Sequence, residues 1–224
     1  MHPYVIVDVF TDTPLEGNPL AVFTEADGLP ADRMQRVARE MNLSETVFVL
    51  PPAAGGDARI RIFTPSAELP FAGHPTLGTA FVLCGQRGLD AIELETGAGV
   101  IRVEFAARDG LASPQLPGVP AGPGLPGIGV SCFAGSGTRW KSRYFVPALG
   151  VAEDPATGSA AGPLAVHLAR HDQIAFGQQI EIRQGEEIGR PSVLLVRAEA
   201  DGGQVTSVDV GGSAVIVARG ELLA

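Results

Sequence analysis

The sequence states one pattern twice, and that repetition limits the possible folds more than any other feature. Arg61-Ile62-Phe63-Thr64-Pro65 leads through Glu68 to Gly73-His74-Pro75-Thr76-Leu77-Gly78-Thr79-Ala80. Arg143-Tyr144-Phe145-Val146-Pro147 leads through Glu153-Asp154 to Gly158-Ser159-Ala160-Ala161-Gly162-Pro163-Leu164-Ala165. Each copy reads as strand, loop, glycine plus a polar residue, then a helix of small side chains. Leu77 to Leu83 is apolar or small nearly all round, and a helix without a wet face has to be enclosed, here by sheet. The pattern predicts an α+β chain of two similar halves, each a sheet around a central helix, with the glycine-polar loops as facing lips of a cleft. Such lips present free backbone N–H groups and the positive ends of helix dipoles to an anion.

The segments around the repeat fit this plan. YVIVDVF and PLAVF are short β-rich runs on either side of TPLEGNP, whose Gly17-Asn18-Pro19 is a turn signal. Over 30–41 the period changes: Met34, Val37, Ala38 and Met41 share one helical face, Arg33, Arg36, Arg39 and Glu40 the other, and Pro30 suits a first helical position. Strands are expected at ETVFVL, ARIRIF, IELET, VIRVEF, SVLLVRAEA, VTSVDV and AVIVA, with hairpins across Gly202-Gly203 and Gly211-Gly212. Prolines at 114, 117, 120, 123 and 126 match the turn of a polyproline II helix. They make 114–129 a stiff connector reaching about 37 Å at about 3.1 Å per residue, between halves at 1–113 and 130–224.

A chain of 224 residues with 45% hydrophobic content can bury a core of this size. The formal charge of −9, with 16 Lys and Arg scattered singly, offers no stripe for nucleic acid or anionic lipid and leaves a small molecule as the expected partner. No apolar run reaches the roughly 18 residues of a membrane span, and MHPYVIVDVF has no basic segment before an apolar signal core, so the expected place is the cytoplasm. Cys84 and Cys132 form no CxxC and are expected as structural thiols in a reducing compartment. His167 and His171 have the i, i+4 spacing of a metal pair, but no third ligand follows and HExxH is absent, so a helix-surface pair and no metal are expected. The glycine loops lack both GxGxxG after a strand and GxxxxGKS, which argues against a nucleotide.

EDPATGSAAG, residues 153–162, has two meanings: Asp154 caps a helix, or the loop builds an oxygen-binding nest beside an acid. That segment, with NLSETVFVL, RIFTPSAELPFAGHPTLGTA, CFAGSGTRWKSR and QGEEIGRPS, closely resembles the phenazine-biosynthesis isomerase family PhzF. The resemblance runs from Met1 to about Phe105 and from about Ser131 onward. It implies the diaminopimelate-epimerase-like fold, each half a mostly antiparallel sheet wrapped around a central helix, with the active site between halves. It also implies a homodimer and a cofactor-free isomerisation of trans-2,3-dihydro-3-hydroxyanthranilic acid to an unstable amino-ketone. By the same resemblance Glu45 moves the proton, His74 is the pocket histidine, Asp154 the carboxylate of the second lip, and Ser159 a substrate contact. Gly73 and Gly158 supply backbone donors. The family carries several dozen more residues where this chain has its connector, residues that would add strands and a helix to the second half.

Residue chemistry supports these roles independently. Moving a hydrogen between two carbons of one ring needs a single group that takes a proton and returns it nearby, as a carboxyl of raised pKa can. Glu45 stands before an apolar strand, where desolvation would hold it protonated and Asp154 would add like-charge repulsion; the plain alternative is a turn cap or an ion pair with Arg. His74 is either a satisfied loop histidine or a neutral imidazole facing the cleft. Two other functions stay open: an amino-acid epimerase, which needs two opposed bases, usually thiols, and a non-catalytic member with an incomplete second half. Cys84 falls about three turns into its helix and Cys132 outside both lips, which disfavours the epimerase.

Overall fold

A computed structural model of the chain describes residues 1–105, 112–114, 129–147 and 150–223. The first half contains β1 (His2–Val9), β2 (Asn18–Phe23), α1 (Ala31–Met41), β3 (Glu45–Leu50), β4 (Ala58–Phe63), β5 (Glu68–Leu69), α2 (Gly73–Arg87), β6 (Ala91–Thr96), β7 (Gly99–Phe105) and β8 (Ala112–Pro114). The second contains β9 (Val130–Ser136), β10 (Arg139–Val146), β11 (Val151–Asp154), α3 (Gly158–Arg170), β12 (Ile180–Gln184), β13 (Ser192–Asp201) and β14 (Gln204–Gly211), followed by β15 (Ala214–Leu222). They build a nine-stranded sheet in the order β15-β1-β2-β3-β4-β6-β7-β8, with β5 on β4, and a six-stranded sheet β11-β10-β12-β13-β14, with β9 on β10.

Period-two alternation assigns the two faces of the first sheet. Val5, Val7, Val9, Leu20, Val22, Val47, Val49, Ile60 and Ile62 are buried in one core with Leu77, Ala80 and Leu83 of α2. Ala21, Phe23, Phe48, Leu50 and Phe63 point the other way and bury Met34, Val37 and Ala38 of α1. Phe48 stacks on Phe23 with centroids 5.1 Å apart and meets Phe63 edge-on at 5.5 Å, the offset arrangements aromatic pairs favour. Glu45 has the parity of Val47 and Val49, so the first residue of β3 carries its carboxyl to the α2 side. The small residues of the repeat have a steric reason. A Cβ on Gly78 would stand 2.7 Å from Val9 Cγ2 and 2.8 Å from Leu20 Cδ2, and one on Gly162 would stand 2.8 Å from Val208 Cγ1. Each helix thus presses its backbone onto its sheet.

The two helices differ in how far they are enclosed. Gly73 to Cys84 are buried apart from half-buried Phe81, as the sequence predicts. On α3 an exposed stripe remains at Ser159, Pro163, His167 and Arg170. His167 and His171 lie at its far end with ring centroids 4.5 Å apart, His167 against Phe133 of β9.

β15 joins the other half's sheet. It runs antiparallel to β1 from Val9↔Ala214 to His2↔Leu222, so residues 214–222, grouped by sequence with the second half, complete the sheet of the first. Only the hairpin across Gly202-Gly203 forms, closed by Asp201↔Gln204. At Gly212 the chain crosses over instead of turning back, passing so close to the Phe10 ring that a Cβ there would lie 2.5 Å from Cδ1. Phe10 N–H donates to Ser213 O at 2.7 Å and Phe10 O accepts from Val193 N–H at 2.8 Å, which fixes the crossing. Apolar alternation tells which face of a strand is buried but not which strand lies beside it. Neither β9 nor β12 was expected. Pro114 closes β8 against Val103, and the connector beyond it, 115–128, lies outside the described residues.

Arg190 of the second half ties the halves together. It donates to Asp8 Oδ1 at 2.6 Å, Glu16 O at 2.7 Å and Gly17 O at 2.9 Å, while Asp8 Oδ2 accepts from Leu15 N–H at 2.7 Å. The Asp8 carboxylate is sealed from solvent, and removing its partner would leave a buried charge unmatched.

Candidate active site

The N-termini of α2 and α3 meet at the junction of the halves. A Cβ on Gly73 would stand 3.3 Å from Ser159 N and 3.4 Å from Gly158 Cα; one on Gly158 would stand 3.3 Å from Phe10 Cζ and 3.7 Å from Gly73 Cα. Side chains cap neither helix: the N-cap residues Ala72 and Thr157 make no side-chain cap bond, and neither first turn holds an acid. Asp154 is therefore not a cap. The first turns of both helices, with the backbone N–H groups of Gly73 and Gly158, thus lie side by side, with Ser159 exposed beside them.

Next to this nest lie the predicted acid and histidine. Glu45 Oε2 is 3.4 Å from His74 Nε2, their side chains 15% and 4% exposed, and among the described residues neither atom has a hydrogen-bond partner. His74 Nδ1 lies 3.2 Å from the side-chain nitrogen of Asn18, which donates to Asp154 Oδ1 at 2.8 Å and to Ala156 O at 2.9 Å. Asn18 thereby links Glu45 and His74 of the first half to Asp154 of the second. Asp154 is held from its own side as well. Its Oδ2 accepts from Thr157 Oγ1 at 2.5 Å, and Gln184 Nε2 donates to Asp154 O at 2.7 Å and to Thr157 Oγ1 at 3.0 Å. Gln184 Oε1 in turn accepts from Ser142 Oγ at 3.0 Å. Glu153 points away into a two-pronged pair with Arg143, at 2.9 and 2.8 Å.

Burial decides the protonation states. Desolvation pushes the Glu45 carboxyl well above the usual carboxylate range, and the negative charge of Asp154 pushes it further. Desolvation also raises Asp154, but donors from Thr157, Asn18 and Ser44 oppose it and leave the group at about 6. His74 is driven down to about 3 by burial and is neutral. The site therefore favours a charged Asp154, a protonated Glu45 and a neutral imidazole, so the Glu45–His74 contact tends to join two uncharged groups. An acid that can give and retake a proton stands beside a nest for an anion and opposite a fixed negative charge. That set can shift a hydrogen within a small anionic molecule carrying a cationic or hydroxyl group.

The remaining candidates sit elsewhere. Cys84 is buried in α2 with its thiol pushed up to about 11, and Cys132 is exposed on β9. Among the described residues no group of three or more His, Cys, Asp and Glu could hold a metal ion. Among them, too, no helix is long and apolar enough to cross a membrane.

The model of the PhzC-PhzF family, described as phenazine biosynthesis-like protein, matches residues 7–116 and 127–220. The chain belongs to this family. A curated PhzF relative, the trans-2,3-dihydro-3-hydroxyanthranilate isomerase of Pseudomonas fluorescens, is 47% identical, each chain covered over 100% of its length. The aligned span is 277 residues against 224 in this chain, so this family member is shorter than its relative. Among solved structures, the Bacillus anthracis phenazine biosynthesis protein of the PhzF family superposes with a TM-score of 0.84 at 22% identity, covering 100% of this chain and 99% of that one. A probable proline racemase from Agrobacterium radiobacter K84 shares the fold at a TM-score of 0.74 and 12% identity, with 99% and 93% covered. PhzF proteins and racemases thus share the two-half architecture, the diaminopimelate-epimerase-like fold expected from the sequence.

Proposed function

We propose that the protein is a cofactor-independent isomerase of trans-2,3-dihydro-3-hydroxyanthranilic acid, moving one ring hydrogen through Glu45 to give the amino-ketone from which a phenazine ring system is assembled. The observation that carries this reading is the convergence of Glu45, His74 and Asp154 beside two uncapped helix tips. The P. fluorescens relative, named for that reaction, supports it.

The substrate has a carboxylate at C1, an amine at C2, a hydroxyl and a hydrogen at C3, and two conjugated double bonds. Adding a proton at C1 and removing one from C3 moves both double bonds and leaves an enol, which becomes the ketone. Atoms balance without an oxidant or reductant. Glu45 gives its proton to C1 and takes the one from C3, so a single carboxyl ends as it began. Asp154, ionised, receives the ammonium at C2. The ring carboxylate lies against the N–H groups of Gly73 and Gly158 and the hydroxyl of Ser159, and neutral His74 steadies the acid. Family likeness also supports a homodimer working in the cytoplasm, which light scattering and cell fractionation check.

The test is to add purified protein to the substrate and follow loss of the conjugated diene by absorbance, with Glu45→Gln in parallel. Turnover by the wild type alone is expected; no turnover, or equal turnover by the variant, overturns the assignment. The epimerase alternative gains nothing from the site, since neither thiol stands at the helix tips.

A further inference from the structure

Asn18 has more bonds than its place in a turn requires. It is fully buried at the start of β2, yet its amide nitrogen reaches His74 Nδ1, Asp154 Oδ1 and Ala156 O, at 3.2, 2.8 and 2.9 Å. Among the described residues it is the one side chain bonded to candidates of both halves. The residue before it is anchored across the junction: Gly17 N–H donates to Pro191 O at 2.9 Å and Gly17 O accepts from Arg190 Nε at 2.9 Å. Gly17 has φ +66, and a Cβ there would lie 2.4 Å from Val9 O, so only glycine makes this entry. Asn18 thus belongs to the first sheet but is placed by the second half.

The chemistry of its partners orients the amide. Ala156 O and an ionised Asp154 Oδ1 are acceptors only, so the atom facing them has to be the NH₂ group, and a flipped amide would set oxygen against oxygen twice. The two hydrogens of that group go to Asp154 Oδ1 and Ala156 O, and an amide nitrogen cannot accept, so His74 Nδ1, facing it at 3.2 Å, carries no proton. In a neutral imidazole the proton is left on Nε2, the atom 3.4 Å from Glu45 Oε2.

We propose that Asn18 is a positioning residue of this site: its amide holds His74 as the Nε2–H tautomer facing Glu45 while it donates to Asp154 on the opposite half. One residue then aims the acid and fixes the anion together. Only the kinetic part of the test rests on the function proposed above.

The deciding measurement is ¹⁵N NMR of the full chain labelled at its four histidines, with the His74 signal assigned by its loss in His74→Asn. The wild type is expected to show the Nε2–H pattern at neutral pH; an Nδ1–H or charged ring overturns the proposal. In Asn18→Ala the ring is expected to populate both tautomers, and an unchanged Nε2–H pattern overturns it. Should Asn18→Ala not fold, the wild-type spectrum decides alone. With the substrate proposed above, Asn18→Ala should lower kcat about 10²-fold, the low end of what a placed general acid supplies, with KM changed far less. An unaltered kcat counts against the role. A wild type inactive on that substrate refutes the function but leaves the tautomer result standing.

Discussion

Glu45 Oε2 and His74 Nε2 lie 3.4 Å apart, sealed from solvent and, among the described residues, without other partners. The spacing exceeds that of a good N–H···O bond. Burial favours the neutral form of both groups, which opposes an ion pair that would have to break before chemistry. Catalytic contacts often tighten when substrate closes the site.

Glu45→Gln keeps shape and neutrality but cannot transfer a proton. Its kcat should fall by about 10²- to 10⁴-fold while substrate binding survives. Single-turnover kinetics with calorimetry separates the two quantities, and loss of binding with unaltered chemistry would contradict the assigned role.

The carboxyls should give a bell-shaped rate profile. As pH falls through about 6, Asp154 gains a proton and no longer attracts an ammonium, so the rate declines. The alkaline limb follows Glu45, held far above its usual range, and appears when its proton leaves. The two values belong to the pair. A rate independent of pH between 5 and 7 would be inconsistent with Asp154 acting as an anion.

Both carboxyls are raised in the folded chain, which therefore holds protons that the unfolded chain releases. Their stabilising contribution is complete below the unfolded values and is lost as pH rises through the folded ones. For Asp154, raised from 3.8 to about 6, the loss is about 3 kcal/mol. Glu45→Gln stays neutral at every pH, so in urea titrations it should outlast the wild type at pH 8 and lose that advantage toward pH 5.

Gly78→Ala and Gly162→Ala insert a methyl where no space exists and should each cost about 1–3 kcal/mol in chemical denaturation. Gly85 lies on the same helix as Gly78 with nothing within 4 Å of an added Cβ, so Gly85→Ala should stabilise by about 0.5–1 kcal/mol. Equal effects at Gly78 and Gly85 would show that helix propensity, not the close approach to the sheet, governs these positions.

The duplicated pattern made α2, α3 and their meeting tips legible, because a helix of small residues beginning at glycine is an unusual demand stated twice. Glu45, His74 and Asp154 could be singled out from residue type and family likeness. Asn18 could not: asparagine between glycine and proline is an ordinary turn former, and nothing local reveals an amide whose partner Asp154 lies 136 positions away. Gln184 was missed with its strand, although IEIRQ alternates correctly and carried the signal. The open stripe of α3 was also present as Ser159, Pro163 and His167 at four-residue spacing. Repetition of the pattern concealed the difference between the helices.

β15 covers the outer edge of β1. During synthesis His2–Val9 is made before its neighbour at Ala214–Leu222, which follows only after the rest of the second half. Until then the nascent sheet carries a bare row of backbone donors and acceptors, the kind of edge that recruits strands from other chains. A chaperone protecting this protein would therefore have most to do at β1, and a chain cut short before β15 would be prone to aggregate.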